Sequence, residues 1–161
     1  MKEDERFDHV YIWADGSIRG NPDGTGGLGI LIESQRLGYV KAIGIYVPEK
    51  KGNTNNRMEL MSATEALKAL KDVPLVVHLH LDSMYVIGGI NANGYESNED
   101  LWTEFFKTYN SKNIVLKTYH VKGHSGEDKN TVVDKLANLA REKKKNIEEV
   151  GHSEEIIKKF S

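Results

Sequence analysis

The feature that most narrows the fold is a change of hydrophobic period near residue 54. Before it, residues 10–13 form a short apolar run ending at Ala14-Asp15-Gly16. Residues 28–32 form a second run, and residues 39–47 a third that Pro48 stops. Runs this short, rich in β-branched and aromatic residues and joined by brief Gly-containing or polar links, predict three strands in an antiparallel meander. From Thr54 onward Glu59, Ala63, Ala66, Leu67 and Leu70 fall at offsets 0, 4, 7, 8 and 11. That spacing lines one face of a helix over about residues 55–71, with Asn53 or Thr54 as its N-cap.

The remaining chain alternates the two periods. Residues 75–81 predict a fourth strand ending at Asp82, residues 83–90 and 100–109 two helical segments, and residues 114–120 a fifth strand. Residues 121–130 read as a loop, and Val133, Leu136, Ala137 and Ala140 mark the apolar face of a last helix. Three meandering strands followed by helix, strand, helices, strand and helix give an α/β fold. Its five-stranded mixed sheet has antiparallel strands 1–3, then parallel strands 4 and 5, with strands one and four as parallel neighbours. After Arg141 the sequence turns to Lys and Glu runs. Residues 142–161 are expected to be a charged, solvated tail with a short helix at residues 154–160, outside a domain of residues 1–141.

Composition removes several function classes. The 161 residues contain no cysteine, which excludes disulfide frameworks, thiolate zinc sites and cysteine nucleophiles and leaves catalysis to carboxylates, histidines and hydroxyls. Lys and Arg number 22 against 24 Asp and Glu, for a net charge of −2, so no overall basic field holds a polyanion and any such partner is gripped locally. No stretch has the length and apolarity of a membrane span or a secretory leader. The expectation is a monomer of the cytoplasm with no membrane contact.

Asp15 and Asp82 each follow an apolar strand, so in adjacent parallel strands both carboxylates reach the same sheet edge, where open α/β sheets place their sites. Glu59 is in register with the apolar stripe of its helix, and a carboxylate turned toward a core needs a cation or a proton. Asp134 stands in the first turn of the last helix. Each has an ordinary explanation taken singly: a turn residue for Asp15, a helix cap for Asp82-Ser83, a dipole partner for Asp134. Convergence changes the balance, because paired carboxylates 4 Å apart repel by about 4 kcal/mol at an effective dielectric near 20. An all-oxygen cluster selects hard cations, Mg²⁺ or Mn²⁺.

The sequence resembles the type 1 ribonuclease H family. The resemblance rests on Asp15-Gly16-Ser17 with Gly20-Asn21-Pro22, on Thr54-Asn55-Asn56-Arg57-Met58-Glu59-Leu60, on Asp82-Ser83, on Val121-Lys122-Gly123-His124-Ser125-Gly126, and on the residues around Asp134. It covers about residues 8–141. It implies a ribonuclease H-like fold and hydrolysis of the RNA strand of an RNA/DNA hybrid to 5′-phosphate and 3′-hydroxyl ends. Asp15, Glu59, Asp82 and Asp134 then match the ligands of two Mg²⁺ ions, with Mn²⁺ as a substitute. His124 matches a histidine that shuttles a proton or assists product release. Asn21 and Asn55 match minor-groove contacts, Thr54 and Arg57 phosphate contacts, and Asn56 a contact beside Glu59, which accepts the 2′-hydroxyl. His78 and His80, spaced H-x-H within a central strand, are expected to be structural.

Two departures bear on substrate grip. Met84 stands where the family often has a Gln, and residues 87–102 contain no Lys or Arg where many members carry a basic helical protrusion. Two other readings stay open at this point: a catalytically silent hybrid binder, and a nuclease of the same fold acting on DNA.

Overall fold

The computed structural model describes residues 7–122 and 128–161. Strands β1 (Asp8–Arg19), β2 (Thr25–Ser34) and β3 (Tyr39–Val47) are followed by α1 (Asn55–Lys68), β4 (Leu75–Leu81), α2 (Met84–Asn91) and α3 (Glu99–Ser111). Then come β5 (Ile114–His120), α4 (Asp128–Lys143), β6 (Ile147–His152) and α5 (Ser153–Phe160). The sheet runs β5-β4-β1-β2-β3-β6. β1 pairs antiparallel with β2 and parallel with β4, β4 parallel with β5, and β3 antiparallel with both β2 and β6.

Each face of the sheet is covered by its own helices. On one side Ile12, Ala14, Ile30, Leu79 and Leu81 pack with Leu60, Ala63 and Leu67 of α1, Val86 of α2 and Trp102 and Phe105 of α3. On the other, Trp13, Leu31, Val40 and Ala42 meet Val132, Val133 and Leu136 of α4 and Ile156 and Phe160 of α5. β4 has six of its seven residues buried, as a strand flanked on both sides must be. α1 begins where Thr54 Oγ1 accepts from Arg57 N at 3.2 Å, so Thr54 is the cap. Asn53 is buried and donates to Gly24 O (2.9 Å) and Pro48 O (3.1 Å), tying the β1–β2 turn to the start of α1.

The strand order, the parallel β1–β4 neighbours and the flanking helices are as the sequence predicts, with two differences. First, β1 does not turn at Asp15-Gly16; its ladder with β2 continues to Arg19 opposite Thr25, and the turn is residues 20–24. Second, the sheet has six strands, because the expected solvated tail supplies an edge. β6 pairs with β3 from Tyr39 opposite His152 to Gly44 opposite Ile147. α5 buries Ile156 and Phe160, each 4% exposed. The strand escapes sequence reading because Ile147 is the one apolar side chain on its inward-turned positions, while Val150 lies on the outward ones.

Candidate active site

Ala14 of β1 pairs with Leu81 of β4. The β1–β4 ladder ends at that pair, so Asp15, still paired with Gly29 of β2, and Asp82, just past the end of β4, are the next residues on neighbouring parallel segments and come side by side. Asp15 has the parity of Trp13 and Ser17, the side on which α4 packs. Glu59 arrives from the opposite helix, and Gly16 makes room for it: a Cβ there would stand 2.4 Å from Met58 C and 2.5 Å from Glu59 N. No side chain larger than hydrogen permits α1 to seat its amino-terminal turn against β1 this closely.

Asp15, Glu59 and Asp82 each offer an oxygen within 4.8 Å of the others. Asp15 is 5% and Glu59 6% exposed, while Asp82 is half-buried. Among the described residues Glu59 Oε2 is buried without a hydrogen-bond partner. Burial foremost, then the Asp82 charge, pushes the Asp15 carboxyl up to about 8; Asp134 adds to the rise and a hydrogen bond with Glu59 opposes it. Burial and the charges of Asp15 and Asp82 likewise raise Glu59 well above the ordinary carboxylate range. Protons or cations are what such a cluster takes up. The orphaned Glu59 oxygen and an all-oxygen donor set fit a hard divalent ion.

Asp134 is exposed on α4, in its second turn and not its first, and its charge reaches Asp15. α4 is seated by backbone contact: a Cβ at Gly27 would lie 2.0 Å from Ala137 O, and one at Gly29 1.9 Å from Val133 O. Ser17 Oγ donates to Asn138 Oδ1 at 2.7 Å and accepts from Arg141 Nη1 at 2.5 Å, fixing the helix lengthwise. His124 lies outside the described residues.

The other singled-out residues gather at the amino end of α1. Asn21 is exposed in the 20–24 turn that Asn53 holds, and Asn55 and Asn56 are exposed on the first turn of the helix. Arg57, expected to face a phosphate, directs both arms of its fork to Asp100 of α3, with Nη1–Oδ1 at 2.9 Å and Nη2–Oδ2 at 2.7 Å. Met84 is 58% exposed at the start of α2. His78 is a wall of the sheet: its Nε2 is 2.8 Å from His9 Nδ1, its Nδ1 is 2.8 Å from the Tyr119 hydroxyl, and its ring stacks on Tyr11. His80 stacks on Trp13, with Nδ1 3.0 Å from Ile12 O. Sequence reading missed the roles of Asn53, Tyr85 and Asp100, all of them contacts between segments distant along the chain. The glycines of the Thr25-Gly26-Gly27-Leu28-Gly29 run were the one available signal that a helix lies against β2.

Residues 8–142 match the RNase H family. A ribonuclease H of Novosphingobium aromaticivorans is 40% identical over 147 residues, covering 82% of this chain and 96% of its own. The ribonuclease H of Gluconobacter oxydans is 41% identical over 147 residues, covering 83% and 92%. Among solved structures, LC9-RNase H1, a type 1 RNase H with the type 2 active-site motif, superposes with a TM-score of 0.72 at 26% identity over 89% of this chain and 78% of that one. LC11-RNase H1, solved in complex with an RNA/DNA hybrid, shares the fold with a TM-score of 0.61 at 22% identity over 84% of this chain and 98% of that one. Family match, relatives and fold agree over the segment that carries the carboxylates, and the chain belongs to the ribonuclease H family.

Proposed function

We propose that this ribonuclease H hydrolyses the RNA strand of RNA/DNA hybrids with two divalent cations, leaving 5′-phosphate and 3′-hydroxyl ends. The observation that carries the reading is the convergence of Asp15, Glu59 and Asp82 with an unpartnered Glu59 oxygen. Family membership and the hybrid bound to LC11-RNase H1 point it toward this substrate. Asp15, Glu59, Asp82 and Asp134 are the residues that hold Mg²⁺, or Mn²⁺ in its place. Bound there, the ions supply a nucleophilic water and neutralise charge on the scissile phosphate.

The chain's own groups do the rest. Asn21 and Asn55 read the minor groove, Asn56 contacts the strand beside Glu59, and Thr54 and Arg57 lie along the phosphate track, with Arg57 steadied by Asp100. Glu59 accepts the 2′-hydroxyl, the group that marks RNA. His124 shuttles a proton or assists product release. Residues 1–141 carry the chemistry and residues 142–161 carry no site residue. The working unit is a monomer in the cytoplasm, and no helix among the described residues is long and apolar enough to cross a membrane.

The test is cleavage of labelled RNA/DNA hybrid, duplex DNA and duplex RNA, each with Mg²⁺ and with chelator. The expected result is Mg²⁺-dependent cutting of the RNA strand of the hybrid alone. Cutting of duplex DNA at a comparable rate would overturn the reading, and hybrid binding without cutting would favour a silent binder.

A further inference from the structure

The helix that carries Glu59 and the helix that follows Asp82 are joined by a polar clamp whose centre is one hydroxyl. Tyr85 Oη on α2 accepts from Asn98 Nδ2 at 3.0 Å and from Trp102 Nε1 at 3.1 Å, and donates to Ser97 O at 3.0 Å. The Ser97 hydroxyl also stands 3.0 Å from Tyr85 Oη, so the phenol's one proton and two lone pairs each have a partner. Asn98 precedes α3 in a left-handed conformation, φ 59° and ψ 37°, and its other amide atom, Oδ1, accepts from Arg57 Nη1 at 3.2 Å. Arg57 in turn grips Asp100 through both fork nitrogens and holds that carboxyl down at about 2.

The chain of bonds runs from α2, three residues beyond Asp82, through the start of α3, to the first turn of α1, two residues before Glu59. Its α1 end is the Thr54-Asn55-Asn56-Arg57 block. The clustered carboxylates are placed by other means, by the meeting of β1 and β4 and by the approach of α1 over Gly16. The geometry points to Tyr85 and Asp100 as positioning residues for hybrid binding: together they fix where the amino end of α1 presents its polar block. In this chain the clamp occupies a region without a single Lys or Arg between residues 87 and 102. Grip on substrate is then set by the placement of short polar groups more than by added cations.

This inference rests on the hybrid-hydrolysing reading, and one experiment separates the two. Steady-state hybrid cleavage in saturating Mg²⁺ is measured for the wild type, Tyr85→Phe, Asp100→Asn and the double variant, with thermal unfolding of each alongside. Tyr85→Phe and Asp100→Asn are each expected to raise KM about five-fold, the worth of one net hydrogen bond, and to leave kcat within about two-fold. Because both act through Arg57 and Asn98, the double variant should rise by clearly less than the product of the two. The Arg57 guanidinium N–H resonances should sharpen toward free rotation in Asp100→Asn and broaden in Tyr85→Phe, a signature independent of turnover. An unchanged KM in folded Tyr85→Phe and Asp100→Asn, or a fall in kcat with KM constant, would overturn the clamp. If Tyr85→Phe fails to fold, exposed Asp100→Asn decides alone. An inactive wild type would overturn the hydrolysis reading instead, with the Arg57 resonances still deciding whether the clamp exists.

Discussion

Two edges of the sheet follow opposite rules. Where the β1–β4 ladder ends, Asp15 and Glu59 are buried beside Asp82, an arrangement that raises their proton affinity and costs the cation-free protein stability. At the far edge, β6 and α5 add a ladder to β3 and bury Ile156 and Phe160, and the cluster found among the described residues takes no carboxylate from them. One edge gives up stability for chemistry and the other supplies stability without chemistry. The difference teaches that activity and folding can be perturbed separately in this molecule, and three experiments press on that separation.

The largest effect is expected at the carboxylate edge. Asp15→Asn or Asp82→Asn should abolish measurable hybrid hydrolysis and leave the cation-free fold as stable as before or more so, because mutual repulsion is relieved. Single-turnover cleavage and chemical denaturation in chelator measure the two quantities. A variant that loses both together would erase the contrast.

Truncation after Lys145 tests the opposite edge. Removing β6 and α5 exposes the partners of two buried side chains at about 1.5–3 kcal/mol each, so stability should fall by roughly 3–6 kcal/mol. At a temperature where the truncated chain remains folded, its kcat should match that of the full chain. A folded, stable but inactive product would show that the edge reaches the site.

The smallest effect is a slope. Asp15 titrates near 8 in the fold against about 4 in the unfolded chain, and Glu59 is shifted the same way. Between those values the folded state binds more protons than the unfolded one, so stability is fully present below about pH 4 and declines as pH rises toward 8. Denaturation in chelator across that window should show the decline, Asp15→Asn should flatten it, and saturating Mg²⁺ should offset it. A cation-free stability that rises with pH from 4 to 8 would contradict the buried cluster.

Much of this was legible in the sequence because local rules agreed with the global ones. β3, β4 and β5 begin and end where the apolar runs do, and Glu59 stood out because a carboxylate interrupted an otherwise apolar helical stripe. The length of β1 was not legible, since Asp15-Gly16 has the composition of a turn and only pairing with Gly29 and Leu28 of β2 keeps it extended. β6 was hidden because an edge strand with one inward apolar residue looks like a solvated charge run. The Arg57–Asp100 pair was hidden for another reason: nothing local tells an arginine on the first turn of α1 that its partner lies 43 residues ahead. Membership of a cluster can be read from residue type, but partnership across the fold cannot.

The glycines under α4 bear on how the site tolerates change. Where a helix rests on side chains, its height above a sheet follows their volume, and each core substitution shifts it. α4 rests instead with the carbonyl oxygens of Val133 and Ala137 over Gly29 and Gly27, main chain on main chain. Its height has a hard stop that no repacking of Val132 or Leu136 can lower. Drift in that half of the core is thereby decoupled from the spacing between Asp134 and Asp15, so the interior can vary while the span between those two carboxylates keeps its gauge.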